Sequence, residues 1–162
     1  MSLADAPIGC VPIVWNNADL PDLAPLAPYD DILDTFRRLG YAGTQYGRGF
    51  PEGPALADEL TSRGLRFAEL YSALPTGPDG LLDVAEVVAP GDLERLQPAN
   101  GEVLVVALDG SADRDAVSGR VHDSDAPRWP GSAFDRMAAL LGELAGAARQ
   151  GGAVAFHPHA PT

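Results

Sequence analysis

Three stretches of the chain leave helical spacing in the same way, on Arg38-Leu39-Gly40, Ser62-Arg63-Gly64 and Arg149-Gln150-Gly151, and each gives way within a few residues to an apolar run. This recurrence limits the possible folds more than any other feature. A glycine just past a helix takes the left-handed conformation that closes the last turn, so each exit reads as helix followed by strand. Repeated strand, loop, helix and glycine units build a parallel sheet with right-handed crossovers. Strands are expected at 8–15, 42–46, 65–71, 103–108 and 154–156. Helices are expected at 29–39, 54–63, in part of 81–96 with a break at Pro90-Gly91, and from a Ser132 cap to Gly151-Gly152. The polar, aspartate-rich stretch 110–130 reads as a long loop, and His122 within it as solvated.

A parallel sheet with helices on its faces is either an open doubly wound sheet or a barrel. A dinucleotide-binding open sheet would carry Gly-x-Gly-x-x-Gly after its first strand. Trp15-Asn16-Asn17-Ala18-Asp19 stands there instead, and Gly47-Arg48-Gly49 lacks the third glycine. The barrel is therefore favoured, and in a barrel the residues past each strand's carboxyl end converge on one pocket.

Those strand ends supply Trp15, Asn16 and Asn17, then Gln45, then Glu69 with Tyr71, then Asp109, and finally His157 and His159. Amides and carboxylates pair with hydroxyls and aromatic rings cover the apolar face of a sugar, so the set suits a polyhydroxylated ligand. Each residue also has a plainer reading. Asn16 and Asn17 are common turn formers, Trp15 can be core or pocket wall, and Glu69 can face outward to an arginine. His157 and His159, two apart on an extended segment whose 154–156 run reads as buried, leave the same face and could ligate one metal.

Composition narrows the partners. The net charge of −12 argues against a nucleic-acid backbone. All 11 basic residues are arginine, so Schiff-base and P-loop lysines are ruled out. A lone cysteine, Cys10, allows no internal disulfide. No apolar run suits a membrane span and the first residues lack a secretory pattern, so a cytoplasmic protein without a membrane partner is expected.

With these residues in place, the chain resembles the xylose-isomerase-like TIM-barrel superfamily of sugar isomerases and epimerases, and most closely the inosose dehydratases. The resemblance rests on Ile8-Gly9 leading to Trp15-Asn16-Asn17, on Gly40-Tyr41-Ala42-Gly43-Thr44-Gln45, on Gly64-Leu65-Arg66, and above all on Ala155-Phe156-His157-Pro158-His159. It implies an α/β chain of (β/α)8 type. It also implies an isomerase, epimerase or dehydratase (a lyase, as in inositol catabolism) that acts on a sugar or keto-polyol through an enediolate. His157, His159 and Glu69 would be catalytic, Trp15, Asn16, Asn17 and Gln45 would bind substrate, and the two histidines would ligate a divalent cation (Mn, Co, Mg or Zn).

Relatives often carry glutamate where this chain has Gln45, and an amide cannot serve as a base at neutral pH. A full barrel takes roughly 250 residues, whereas residues 1–162 are expected to form one domain of about five strands and four helices. The later acidic ligands are not in the sequence, so the cation need not be held by this chain. The alternative expectation is a non-catalytic truncated barrel, stable only as an oligomer, either a homo-oligomer or an assembly with a partner that supplies the rest of the barrel.

Overall fold

In a computed structural model of the chain, residues 6–110, 116–117, 128–148 and 152–158 are described. The strands are β1 (Gly9–Cys10), β2 (Gly43–Gln45), β3 (Arg66–Leu74), β4 (Thr76–Gly77), β5 (Gly80–Leu81), β6 (Val103–Leu108) and β7 (Ala153–His157). The helices are α1 (Tyr29–Leu39), α2 (Gly53–Ser62), α3 (Ala85–Leu96) and α4 (Gly131–Ala148). The five-stranded sheet runs β1-β2-β3-β6-β7, while β4 and β5 form a separate antiparallel hairpin. The order follows the chain without reversal, as in a singly wound sheet, and lacks the switch point of a doubly wound one. The pairs β1–β2 and β2–β3 are parallel. Glu102 N–H donates to Phe67 O and Asp109 N–H to Leu74 O, so β6 also ascends alongside β3.

The chain divides into two compact units. One comprises residues up to Leu70 with Arg95–Val103, the other Tyr71–Glu94 with residues from Leu104 on.

In the first unit, α1 follows from its spacing. Ile32, Leu33 and Phe36 are fully buried, each contributing on the order of 1.5–3 kcal/mol. Asp30 and Asp31 in the first turn and Arg37 and Arg38 in the last suit the helix dipole. The buried stripe stops short of the helix end, where Leu39 is 61% exposed. Gly40 has φ +82; its N–H donates to Arg37 O while Tyr41 N–H donates to Phe36 O, which together close a Schellman motif. Gly64 (φ +69) ends α2 in the same way, with Gly64 N–H to Thr61 O and Leu65 N–H to Leu60 O. A third such exit follows α3 on Asn100 (φ 56), through Gly101 N–H to Leu96 O and Asn100 N–H to Gln97 O. The expected exit at Gly151 lies outside the described residues.

The first strand is shorter than expected. Pro12 has no N–H to give the ladder, and Pro12–Val14 turn into a 3-10 helix whose Pro12 O accepts from Trp15 N–H and Asn16 N–H.

The expected break at Pro90-Gly91 is not made, and α3 continues through Pro90. Interior proline costs about 3 kcal/mol. Ala85, Ala89, Leu93 and Leu96, each at most 5% exposed, form one buried stripe that outweighs it.

In the second unit, β6 has the expected bounds, with Leu104, Val106, Ala107 and Leu108 buried. On α4, Ala133, Leu140, Leu144 and Ala148 are buried, whereas Phe134 is 51% exposed and packs on Trp129. The last strand is present, but it is not the buried strand expected: β7 is an edge strand, Val154 is half-buried and Phe156 is 41% exposed. Most of the stretch 110–130, His122 included, lies outside the described residues.

Candidate functional site

The predicted site residues of the first unit lie in the loop after β1, at the end of β2 and within β3. Trp15, half-buried, sets its ring edge-on to Phe36 at 5.3 Å, so it is held by the core of α1. Asn16 is 4% exposed. Its Nδ2 donates to Ala27 O and Arg48 O, both at 3.0 Å, and its Oδ1 accepts from Ala27 N–H at 2.8 Å. The amide expected to bind substrate is thus committed to the main chain, because a loop that buries its backbone must satisfy it. Asn17 Oδ1 accepts from Asp19 N–H and Leu20 N–H, which is turn duty. Both asparagines shape the loop after β1.

Gln45 and Glu69 behave differently. The register runs Gly43 to Arg66 and Thr44 to Phe67, then shifts so that Gln45 lies abreast of Glu69. Ala68 is the extra residue of a β-bulge. Before it, Phe67 is buried; after it, Leu70, Ser72 and Leu74 are buried. The period of two therefore resumes one residue out of phase. Without the bulge Glu69 would share the face of Phe67. With it, Glu69 leaves that face and joins Gln45, and residues abreast on neighbouring strands project from the same side of the pleat. Both side chains are half-buried. Among the described residues neither takes a hydrogen bond or ion pair within the fold. The arginine that an outward-facing Glu69 could have met is absent there: Arg66 pairs with Glu102, Arg63 with Asp34 and Glu59, and Arg95 with Glu52. Gly43 is needed here, since a Cβ on it would stand 2.8 Å from Arg66 O.

Beyond β2, Tyr46 Oη donates to Phe50 O at 3.1 Å, and the Arg95 guanidinium lies 5.4 Å from the Tyr46 ring centre. Burial, with the Glu52 carboxylate beside it, raises the Tyr46 pKa above the usual phenol value, and Arg95 opposes this. The cavity lined by Tyr46, Glu52, Leu56, Phe67 and Arg95 holds about 10 Å³, room for a water and no sugar.

In the second unit, His157 is exposed on β7, with its ring 6.3 Å from that of Tyr71 in an edge-on arrangement. His159 lies outside the described residues, so the expected histidine pair is not seen as a pair. Among the described residues no three His, Cys, Asp or Glu side chains could hold one metal ion. The described residues therefore do not make a cation site by themselves. Among them, too, no helix is long and apolar enough to cross a membrane.

Two contributors had escaped the sequence reading. Arg48 Nη1 donates to Pro21 O at 3.2 Å and so returns the tie that Asn16 makes; its place between Gly47 and Gly49 was the only hint. Tyr71, noted as a strand-end residue, had not been paired with His157.

No protein-family profile matches the chain. Individual proteins do. The inosose dehydratase of Lacticaseibacillus casei is 28% identical over 159 residues, covering 96% of this chain and 52% of that protein. The rhizopine catabolism protein MocC of Rhizobium meliloti is 30% identical over 168 residues, covering 99% and 49%. A further inosose dehydratase, from Salmonella typhimurium, is 39% identical over 59 residues, covering 36% and 20%. With its singly wound parallel α/β sheet and these similarities, the chain resembles the xylose-isomerase-like TIM-barrel superfamily. Within it the likeness is to inosose dehydratases and to MocC, and the chain spans about half the length of the curated relatives it matches.

Proposed function

We propose that this chain belongs to an enzyme that removes water from, or isomerises, a polyhydroxylated carbonyl compound of the keto-inositol type. The observation that carries this reading is the similarity to inosose dehydratase along 96% of the chain.

The chemistry requires a base for the carbon beside the carbonyl. Glu69 is the candidate: its carboxylate takes that proton, the C–H electrons move into an enediolate, and the protonated Glu69 can return the proton. Return to the departing hydroxyl of the next carbon releases water and leaves a carbon–carbon double bond; return to a different carbon or face gives an isomer or epimer. Gln45, which cannot take a proton at neutral pH, would hold hydroxyls. A divalent cation, expected from the resemblance, would polarise the carbonyl, but its ligands would have to come from beyond the described residues and no step is assigned to it.

The test is dehydration of 2-keto-inositol by the purified chain, with and without added Mn or Co, followed as loss of substrate. Turnover that exceeds the buffer rate supports the reading; no turnover under any of these conditions overturns it.

A second reading, a non-catalytic barrel portion that is stable only as an oligomer, has its own observation. Beside the edge strand β1, Ile8 is 67% and Val14 78% exposed, and an open edge with apolar neighbours invites association. A homo-oligomer fits either reading.

A further inference from the structure

We propose that Gln45 and Glu69 form a cross-strand clamp for a vicinal diol on an uncharged ring. The inference rests on the reading of the ligand as a polyol and goes beyond it in naming the contact and the substrate class.

Three observations converge on the pair. The first is the bulge. Continued regularly from Thr44 and Phe67, the register would set Ala68 beside Gln45; the extra residue replaces that methyl group with a carboxylate. Bulges gather next to functional sites because they re-aim side chains in this way. The second is that the fold leaves both groups unused. Asn16 and Asn17, the other amides in the region, are consumed by the backbone, whereas Gln45 and Glu69 take no partner among the described residues. The third is spacing. Neighbouring strands lie about 4.8 Å apart, so side chains abreast can reach adjacent hydroxyls of one ring.

The donor and acceptor inventory fits a diol. An ionised carboxylate only accepts, so Glu69 accepts a hydrogen bond from one hydroxyl. The Gln45 amide both donates and accepts, so it matches the next hydroxyl in either orientation. The charge sets a limit on the ligand. A carboxylate with Arg63, Arg66 and Arg95 occupied by other acids repels phosphate. The clamp therefore selects free polyols over phosphorylated sugars.

The experiment measures binding of myo-inositol, of its deoxy analogues and of inositol monophosphate to the purified chain and to the variants Gln45→Ala, Glu69→Gln and Glu69→Ala. Thermal melting verifies that each variant is folded. The clamp predicts that Gln45→Ala and Glu69→Ala each weaken myo-inositol binding about tenfold, the loss of one charge-assisted or neutral hydrogen bond. Removal of the hydroxyl held by one residue should make the loss from that residue's substitution disappear, a response a merely structural role would not give. Inositol monophosphate should bind at least about tenfold more weakly than myo-inositol. Unchanged myo-inositol binding in folded Gln45→Ala and Glu69→Ala would overturn the clamp while leaving keto-inositol turnover free to support the dehydratase reading. Absence of myo-inositol binding to the unsubstituted chain would also overturn it. Binding with the expected losses but without turnover would uphold the clamp and fail the dehydratase reading.

Discussion

Asn16 and Arg48 hold two loops together in both directions. Asn16 Nδ2 donates to Arg48 O, and the Arg48 guanidinium reaches back past it to Pro21 O. The long loop after β1 is thereby fastened to the loop after β2, at the end of the strands where Gln45 sits. Asn16→Ala removes three hydrogen bonds at a site 4% exposed and leaves main-chain groups without partners. The expected loss is about 3 kcal/mol, read from urea unfolding. Asn16→Asp cannot donate and should be no better tolerated.

Glu69→Gln keeps the shape of the side chain and abolishes its ability to take a proton. If Glu69 is the base, keto-inositol turnover should fall about a hundredfold or more, with the melting temperature unchanged. Equal turnover in the variant would remove Glu69 from the chemistry.

Ser72 has a buried hydroxyl without a hydrogen-bond partner among the described residues, on the core-facing side of β3. An unsatisfied buried group costs about 1–3 kcal/mol, so Ser72→Ala should stabilise the chain, by about 1 kcal/mol once the lost packing is counted. Denaturant titration of the two proteins side by side decides this.

Burial, and then the Glu52 carboxylate, raises the Tyr46 phenol in the folded state. The sign follows from linkage. Between the unfolded and folded values the native chain holds the proton and the unfolded chain does not, so stability falls as pH rises. The stabilisation is complete below the ordinary phenol value near 10 and is lost as pH climbs through the raised one. Stability measured across this alkaline window should decline less steeply in Tyr46→Phe.

The exposed Ile8 and Val14 beside β1 should make the chain associate. Gel filtration at rising concentration is expected to give a species larger than one 16.9 kDa chain, and Val14→Asp should shift it toward the monomer. A compact monomer at all concentrations would contradict the oligomer.

The sequence revealed most where one residue's environment depends on its near neighbours. The apolar spacing of Ile32, Leu33 and Phe36 with Gly40 behind them located α1, and the unbroken run Val103–Leu108 located β6. It failed where partners distant in the chain decide. Pro90 breaks helices in isolation, and only the burial of Ala85, Ala89, Leu93 and Leu96 shows why α3 passes through it. The hairpin at Gly77-Pro78-Asp79-Gly80 was a turn signal between strands too short to stand out. The bulge at Ala68 could not be read, because register belongs to a pair of strands and not to either alone. Gln45 and Glu69 were both noted as candidates; that they are neighbours was not. Asn16 looked like a ligand contact because its type says nothing about whether the backbone has already claimed it.

The helix exits at Gly40, Gly64 and Asn100 run almost directly into Gly43, Arg66 and Val103, whereas β1 is followed by the whole stretch up to Pro28 before α1 begins. Lengthening any of the tight exits would undo a closed turn and displace the strand that follows. Lengthening the stretch between β1 and α1 would disturb no ladder. Freedom to diverge thus lies at one rim of the strands only, and new specificities can be tried there while the opposite rim keeps the architecture in place.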